Sequence, residues 1–127
     1  MYNGFRKVLI PVSDNIILVK SKSFALEIIQ LYKYLSSNQK EFVLSKQLLR
    51  SGTSIGANAR EAVNAYSKKE FASKMSIALK EAAETAYWLE LLVESDYLTQ
   101  GQFAPLFSRT EELVKLLTSI VKTSKSD

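Results

Sequence analysis

Four segments of the chain carry apolar residues at the three- and four-residue spacing of an α-helix, and only a few residues separate one segment from the next. The spacing predicts helices over about 23–36, 38–66, 67–93 and 99–123. Because short connections make successive helices antiparallel neighbours, the chain should form an all-α, antiparallel up-down-up-down four-helix bundle. We place this bundle domain at residues 21–124.

The residues around the predicted helix boundaries add detail. Ser67 with Glu70, and Thr99 with Gln102, match the capping box that opens a helix. Pro105 lies one turn inside the fourth predicted helix, and it predicts a kink or a delayed start there.

The N-terminal residues depart from the helical pattern. Residues 8–12 and 16–19 look extended, although an isolated pair of strands is marginally stable alone. We therefore expect residues 1–20 to form an extension, either disordered or an arm that docks on a neighbouring subunit. At the other end, residues 122–127 should fray.

The second predicted helix has an apolar stripe and an unusual segment of small residues over 50–61. The stripe comprises Phe42, Leu48, Ile55, Ala59, Ala62 and Tyr66. An interior glycine costs about 1 kcal/mol relative to alanine, so the two glycines of the segment need a structural reason. Successive residues of an α-helix are rotated by about 100° around its axis, so this segment presents a smooth ridge on one face and polar side chains on another. The ridge comprises Gly52, Gly56 and Ala59, and the polar face comprises Arg50, Ser54, Asn58 and Glu61. The ridge predicts close approach of a neighbouring helix, and the polar face predicts a hydrogen-bond network.

Arg50 and Glu61 lie three turns apart, so each needs a partner on another helix. The third predicted helix offers Glu81 and Glu84, and we expect Arg50 to meet one of these carboxylates, within the bundle or across a subunit boundary. The alternative is a solvated polar face with no special role. A metal site at the two glutamates is disfavoured, because di-iron bundles also need histidines. A general acid–base role for them has no further support.

The composition argues against catalysis. The chain has no cysteine and no histidine, which removes thiol chemistry, the commonest general base and the commonest metal ligand. We expect no enzymatic activity, catalytic residue, cofactor or metal. The segment from Gly52 to Gly56 lacks the Lys-Ser/Thr of a phosphate-binding loop. With neither a signal peptide nor a membrane-spanning run apparent, we expect a cytoplasmic protein without a membrane partner.

The third predicted helix is apolar on nearly every side near its end, where Tyr87 and Trp88 join the core residues Leu89 and Val93. A helix that is apolar all round is buried on several sides, whereas one bundle leaves a face of each helix in water. This pattern favours a homo-oligomer with Trp88 at an interface, since tryptophan and tyrosine are enriched there. The alternative is that the large aromatic residue belongs to the core of the monomer.

The charge of the chain is uneven. Residues 1–74 carry twelve Lys/Arg and five Asp/Glu, a net charge of +7, and residues 75–127 have a net charge of −3. A basic half is suited to an anionic polymer, and two complementary halves are equally suited to pack within or between subunits. The candidate nucleic-acid contacts are Lys46, Arg60, Lys68, Lys69 and Lys74.

Several segments together resemble the 23S rRNA-intervening sequence proteins, over roughly residues 15–98. They are Lys22-Ser-Phe-Ala25, Arg50-Ser-Gly-Thr-Ser-Ile-Gly-Ala-Asn58 with Glu61, Ser67-Lys-Lys-Glu-Phe71 and Ser76-Ile-Ala-Leu-Lys-Glu-Ala-Ala-Glu-Thr-Ala-Tyr-Trp-Leu-Glu90. The resemblance implies antiparallel four-helix subunits in a homopentameric ring. It also implies similarity to accessory proteins of diversity-generating retroelements, whose basic ring surface engages nucleic acid and a reverse transcriptase. The signature positions it implies, none of them catalytic, are Arg50, Ser54, Asn58, Glu61, Glu81 and Glu84.

The residues and the resemblance together favour a non-enzymatic, homo-oligomeric protein that acts by binding. The leading hypothesis is an accessory protein associated with RNA or another nucleic acid, and its binding should weaken steeply as salt rises. The competing hypothesis is a scaffold for a protein partner. An enzyme is the third and least supported.

Overall fold

The computed structural model describes residues 12–125, and within them the regular secondary structure is entirely helical. The helices are α1 (Val12–Ser37), α2 (Leu44–Val63), α3 (Lys68–Glu94) and α4 (Gln100–Lys125). The predicted all-α fold with four helices is confirmed. The connections are short, as the sequence predicted.

Each helix packs against two others. α1 contacts α2 and α4, and α3 contacts the same two helices, so α1 and α3 occupy opposite corners of the bundle. The core runs along the shared centre and is built from aliphatic residues with one aromatic ring, Phe24. Its largest fully buried aliphatic residues are Ile17, Ile28, Leu35, Leu48, Ile55, Met75, Leu89, Leu92, Leu113 and Leu117. Burying one such side chain contributes roughly 1.5–3 kcal/mol to folding.

Helix α1 begins earlier than the sequence suggested. The extended backbone expected for residues 16–19 is wrong, because these residues are helical and Ile17 is fully buried in the core. A run of four apolar residues fits either structure. Ile17 lies seven residues before the buried Phe24, so it continues the helical stripe. Of the arm expected over residues 1–20, residues 12–20 lie in α1, and residues 1–11 lie outside the described part of the chain.

Helix α2 is shorter than expected, and the prediction that Phe42 and Tyr66 belong to its buried stripe is wrong. Phe42 is 51% exposed and Tyr66 is 85% exposed, and both lie outside the helix. The later start of α2 is explained by Glu41. Its carboxylate accepts hydrogen bonds from the backbone N–H groups of Val43, Leu44 and Ser45 at 3.1, 3.0 and 2.7 Å. These donors are otherwise unpaired at a helix start, so Glu41 fixes where α2 begins.

Glu41 is itself buried, and its environment acts on its ionisation in two opposite directions. Burial raises the pKa of the carboxyl, whereas the hydrogen bonds from the backbone of Leu44, Ser45 and Val43 and from the hydroxyl of Ser45 lower it. The net pKa lies below its ordinary value, because the bonds stabilise the charged form. Glu41 is therefore an ionised cap on α2.

Both predicted capping residues are in place. Ser67 accepts a hydrogen bond from the N–H of Glu70 at 3.0 Å, and the Glu70 carboxylate accepts one from the N–H of Tyr66 at 3.2 Å. At α4, the Thr99 hydroxyl accepts from the N–H of Gln102 at 3.1 Å, and the Gln102 side chain accepts from the N–H of Thr99 at 2.9 Å. α4 starts at Gln100, ahead of Pro105, so the delayed start considered for this helix is wrong.

Candidate functional site

The ridge of small residues on α2 lies against α1. A Cβ atom added to Gly52 would lie 2.9 Å from Cγ2 of Ile28, and one added to Gly56 would lie 3.1 Å from the hydroxyl of Ser21. Ordinary carbon–carbon contacts are about 3.5–4.0 Å, so Gly52 allows an approach that a side chain would obstruct. Ala59, the third residue of the ridge, is fully buried. The predicted close helix approach is confirmed, and its partner is α1.

Arg50 joins α2 to α3 through two carboxylates. Its Nη1 donates to Oε2 of Glu81 at 3.3 Å, and its Nη2 donates to Oε2 of Glu84. The predicted contact between Arg50 and a carboxylate of the third helix is confirmed, and it lies within one subunit. The hydrogen bonds to Glu81 and then to Glu84 raise the pKa of Arg50 above its already high ordinary value. The arginine is permanently charged and holds both glutamates on one face of α3.

Trp88 completes this group. Its indole Nε1–H donates to Oε2 of Glu84 at 3.0 Å, while its ring packs against the core. The pKa of Glu84 lies below its ordinary value, and the hydrogen bond from Trp88 is the main cause. Burial acts in the opposite direction, and the hydrogen bond and charge of Arg50 lower the pKa further. The ring of Tyr87 tilts against that of Trp88 with the centroids 5.3 Å apart. Trp88 is thus half-buried and oriented, and Tyr87 beside it is 53% exposed.

A buried pair of hydroxyls lies directly beneath the charged group, and the sequence analysis missed it. Ser51 on α2 and Thr85 on α3 are both fully buried, and their hydroxyl oxygens are 2.9 Å apart. The hydroxyl oxygen of Thr85 is also 2.7 Å from the carbonyl oxygen of Glu81. Ser51 and Thr85 follow Arg50 and Glu84 directly in sequence, and the pairing of those charges would have indicated this neighbouring pair.

The other polar residues of α2 do not join Arg50 in a single network. The Ser54 hydroxyl donates to the carbonyl oxygen of Arg50 at 2.6 Å, and the Asn58 amide donates to that of Ser54 at 2.9 Å. Both bonds stay within α2. Glu61 pairs instead with Lys74 on α3, with 2.8 Å between Oε1 and Nζ, and this hydrogen bond raises the pKa of Lys74. The polar face therefore makes two separate contacts with α3.

The basic candidates fall at four places. Lys46 lies exposed in the first turn of α2. Arg60 lines a groove of about 210 Å³ between α1 and α2 together with Lys22. Lys68 and Lys69 line a larger groove, described below. The fifth candidate, Lys74, is paired with Glu61, as described above, so its charge is partly compensated.

A groove of about 670 Å³, larger than the one lined by Arg60, lies between the start of α3 and the end of α4. Four lysines line it, two of which, Lys80 and Lys125, the sequence analysis missed. Lys69 and Lys80 are eleven residues apart on α3, a helical spacing that places them on one face. The approach of Lys125 from α4 has no comparable signal in the sequence. The complete lining is Lys68, Lys69, Ala72, Ser73, Ser76, Ile77, Lys80, Ser124 and Lys125.

A third groove, between α1 and α4, differs from these two in its charge. It is lined by acidic as well as basic side chains, and they pair across it. Lys20 Nζ is 2.9 Å from Oε2 of Glu112, and Arg109 Nη1 donates to Oε2 of Glu27. Such exposed pairs contribute about 0–1 kcal/mol each. This groove is therefore electrostatically balanced.

Two kinds of feature are absent from residues 12–125, a cluster of metal ligands and a membrane-spanning helix. No group of three or more acidic, histidine or cysteine side chains there is arranged to hold a metal ion. None of the four helices is both long and apolar enough to cross a membrane.

The fold and this site define a class, the all-helical proteins whose α2 and α3 are joined by an arginine–glutamate group and whose α1 packs onto a glycine ridge. The chain belongs to the family of 23S rRNA-intervening sequence proteins, whose sequence model matches residues 13–119. The predicted family is therefore confirmed.

The chain is also similar to a solved structure. It matches the crystal structure of a protein of unknown function from the S23 ribosomal protein family of Bacteroides thetaiotaomicron VPI-5482, with 54% identity and a TM-score of 0.86. The match covers 87% of this chain and 99% of that one. A search of curated proteins found no match. Neither the family description nor that of the solved structure names an enzymatic reaction.

Proposed function

We propose that the protein is a non-enzymatic, homo-oligomeric accessory protein that binds RNA. The observation that carries this proposal is the lining of its grooves. Two of the three grooves described above are lined by lysine and arginine with no acidic side chain. Surfaces of this kind attract phosphate, and the phosphate backbone supplies most of the affinity in nucleic-acid binding. The family to which the chain belongs takes its name from 23S rRNA.

The arrangement we propose for the subunit is antiparallel, up-down-up-down. Contacts between neighbouring helices support it, because they run in opposite sequence order. Ile28 and Ser21 on α1 face Gly52 and Gly56 on α2. In the same way, Arg50 contacts Glu81 and Glu84, whereas the later residue Glu61 contacts the earlier residue Lys74. The short connections between helices favour the same topology.

The oligomer we propose is a pentameric ring. The exposed apolar surface of α3, where Tyr87 is 53% and Ile77 is 37% exposed, supports an assembly of several copies. α1, at the opposite corner of the bundle, exposes Val19 at 69% and Leu26 at 56%. Two different apolar faces on opposite sides suit a head-to-tail contact between copies, and such contacts close into rings. The number five rests on the resemblance to the family.

The second candidate function is a scaffold for a protein partner, and the same exposed side chains favour it. Exposed aromatic residues are typical of interfaces with a different protein as well as of contacts between copies of the same chain. We propose that the protein works in the cytoplasm under either function.

An affinity purification at low salt distinguishes the two functions. RNA that co-purifies and is released as salt rises supports the RNA-binding function. A single stoichiometric protein without nucleic acid supports the scaffold and contradicts RNA binding. The matched purification in high salt is the control, because phosphate contacts are lost there and apolar contacts are kept.

A further inference from the structure

Positive charge is concentrated at one end of the bundle. The contacts of Gly56 with Ser21 and of Lys74 with Glu61, and the groove that Lys69 shares with Lys125, bring together the start of α1, the end of α2, the start of α3 and the end of α4. We call this part the basic end and define it as residues 15–24, 54–80 and 110–125.

The charges of the two ends differ in sign. The basic end carries ten Lys/Arg and four Asp/Glu, a net charge of +6. The opposite end, residues 25–53 and 81–109, carries five and seven, a net charge of −2. The charge therefore changes sign along the axis of the bundle. Because each helix runs from one end to the other, basic and acidic segments alternate along the chain. The division of the sequence into a basic and an acidic half does not describe this arrangement. A field with this polarity steers an anionic ligand to one end of the molecule.

The groove between α3 and α4 lies at the basic end, and its charges are available to a ligand. None of the ion pairs recorded within residues 12–125 involves Lys69, Lys80 or Lys125, and all three side chains are exposed. By contrast, Lys20 and Lys74 elsewhere at the basic end are paired with glutamates. Within residues 12–125, the groove therefore carries three cations outside these ion pairs, one more than the groove between α1 and α2, where Lys22 and Arg60 are also outside them.

A polar group inside the groove lacks a partner as well. Serine and threonine hydroxyls in these helices commonly donate to the carbonyl four residues earlier, as Ser54 does to Arg50. The hydroxyl oxygen of Ser76, which lines the groove, is buried and has no hydrogen-bond partner in the described chain. An unsatisfied buried hydroxyl costs about 1–3 kcal/mol, and rotation of the Ser76 side chain into the groove would let a bound phosphate relieve that cost.

From these observations we infer that the groove formed by Lys69, Ser76, Lys80 and Lys125 is the site at which the protein holds the phosphate backbone of RNA. The inference rests on the proposed function and gives it a location. The lysines contribute point charges that bind phosphate oxygens without reading base edges. The apolar residues of the lining, Ala72 and Ile77, offer no donors to bases. Because the charged contacts are with phosphate, binding at this site should depend little on base sequence.

The test compares two triple variants of equal charge. The groove variant is Lys69→Gln, Lys80→Gln and Lys125→Gln, and the control variant is Lys33→Gln, Lys40→Gln and Arg109→Gln at the opposite end. Each lowers the net charge from +4 to +1. Fluorescence anisotropy with a labelled single-stranded RNA of 20 nucleotides and mixed sequence, from 50 to 300 mM salt, measures affinity and its salt dependence. Native mass spectrometry of both variants checks that the assembly is unchanged.

We expect the groove variant to bind about tenfold to a hundredfold more weakly at 50 mM salt, and the control variant to bind like the unmodified protein. Because each phosphate contact on a single strand contributes about 0.7 to the salt slope, the slope of the groove variant should fall by about 2. Ser76→Ala should also weaken binding, while its melting temperature stays the same or rises, since the substitution removes an unsatisfied hydroxyl.

Equal weakening in both triple variants would overturn the groove as the site and leave RNA binding intact. A changed mass of the groove variant alone would overturn it too, because the lysines would then belong to a subunit contact. Absence of RNA binding by the unmodified protein would overturn the proposed function together with this inference. A 20-residue polyglutamate that displaces the RNA at equal concentration would assign the groove to an acidic protein segment instead.

Discussion

Replacing Gly52 by alanine tests how closely α1 and α2 pack. The new methyl would lie 2.9 Å from Cγ2 and 3.0 Å from Cγ1 of Ile28, well inside an ordinary carbon contact. Overpacking of this kind costs about 1–3 kcal/mol, and alanine returns about 1 kcal/mol through its higher helix propensity. We therefore expect a net destabilisation of about 1 kcal/mol. For a chain of this size, that lowers the melting temperature by about 4 °C.

The decisive form of the experiment is a double-mutant cycle. Ile28→Ala removes both γ carbons that the new methyl would meet, and it should cost about 2–5 kcal/mol as a buried large-to-small substitution. In that background the two closest contacts are gone and only the Cβ of residue 28, at 3.3 Å, remains near the new methyl, so Gly52→Ala should become stabilising. The matched control is Gly101→Ala in α4, where the nearest atom to the added Cβ is Oγ1 of Thr99 at 3.8 Å. We expect this substitution to be neutral or stabilising.

Urea unfolding at fixed protein concentration gives the four free energies of the cycle. The sign of the effect of Gly52→Ala should reverse between the two backgrounds, because the two residues touch and their effects are not additive. The reasoning is refuted if Gly52→Ala stabilises the unmodified protein as Gly101→Ala does. It is also refuted if Gly52→Ala has the same effect in both backgrounds.

Three further predictions concern polar residues. Arg50→Ala should lower the unfolding free energy by about 1 kcal/mol, because it leaves the partly exposed carboxylates of Glu81 and Glu84 uncompensated beside each other. Thermal melting measures this, with Lys33→Ala as the control. Asp96 has a φ of 69°, in the left-handed region, so Asp96→Gly should stabilise the protein by up to about 1 kcal/mol in urea unfolding, and Asp96→Ala should not. The pKa of Glu41 is lowered by folding, so its contribution to stability is present above the unfolded pKa and is lost as pH falls through the folded pKa. Urea unfolding between pH 7 and pH 3 should therefore show a smaller loss for Glu41→Gln than for the unmodified protein.

Each of these three predictions has a result that contradicts it. An unchanged melting temperature for Arg50→Ala would show that the contact has no role in stability. A loss of stability in Asp96→Gly would mean that the aspartate side chain contributes more than its strained backbone costs. Parallel pH profiles for Glu41→Gln and the unmodified protein would show that Glu41 is not the ionised cap of α2.

The sequence predicted the fold correctly where the spacing of apolar residues fits a helix and does not fit a strand. The stripe that includes Leu48, Ile55 and Ala59 identifies α2, and the capping residues Ser67 and Thr99 identify the starts of α3 and α4. Residues 16–19 were assigned wrongly, since four consecutive apolar residues satisfy a strand and a helix equally. The burial of Ile17 in the core, in line with Phe24 seven residues later, resolves that ambiguity.

The candidate site was predictable to the same extent and for similar reasons. Opposite charges on two neighbouring helices indicated the contact of Arg50 with Glu81 and Glu84. The groove was not predictable, because the approach of Lys125 to Lys69 depends on how α3 and α4 align. Likewise, Glu41 lies outside the helix that it caps, and no simple pattern distinguishes it from a surface glutamate.

Native mass spectrometry of the protein, purified at low salt without nuclease, tests the central proposal of an RNA-binding ring most directly. The account predicts a mass five times that of the 14.3 kDa chain, together with additional mass that nuclease removes. A bare chain of 14.3 kDa with no nucleic acid would contradict both the assembly and the RNA-binding function.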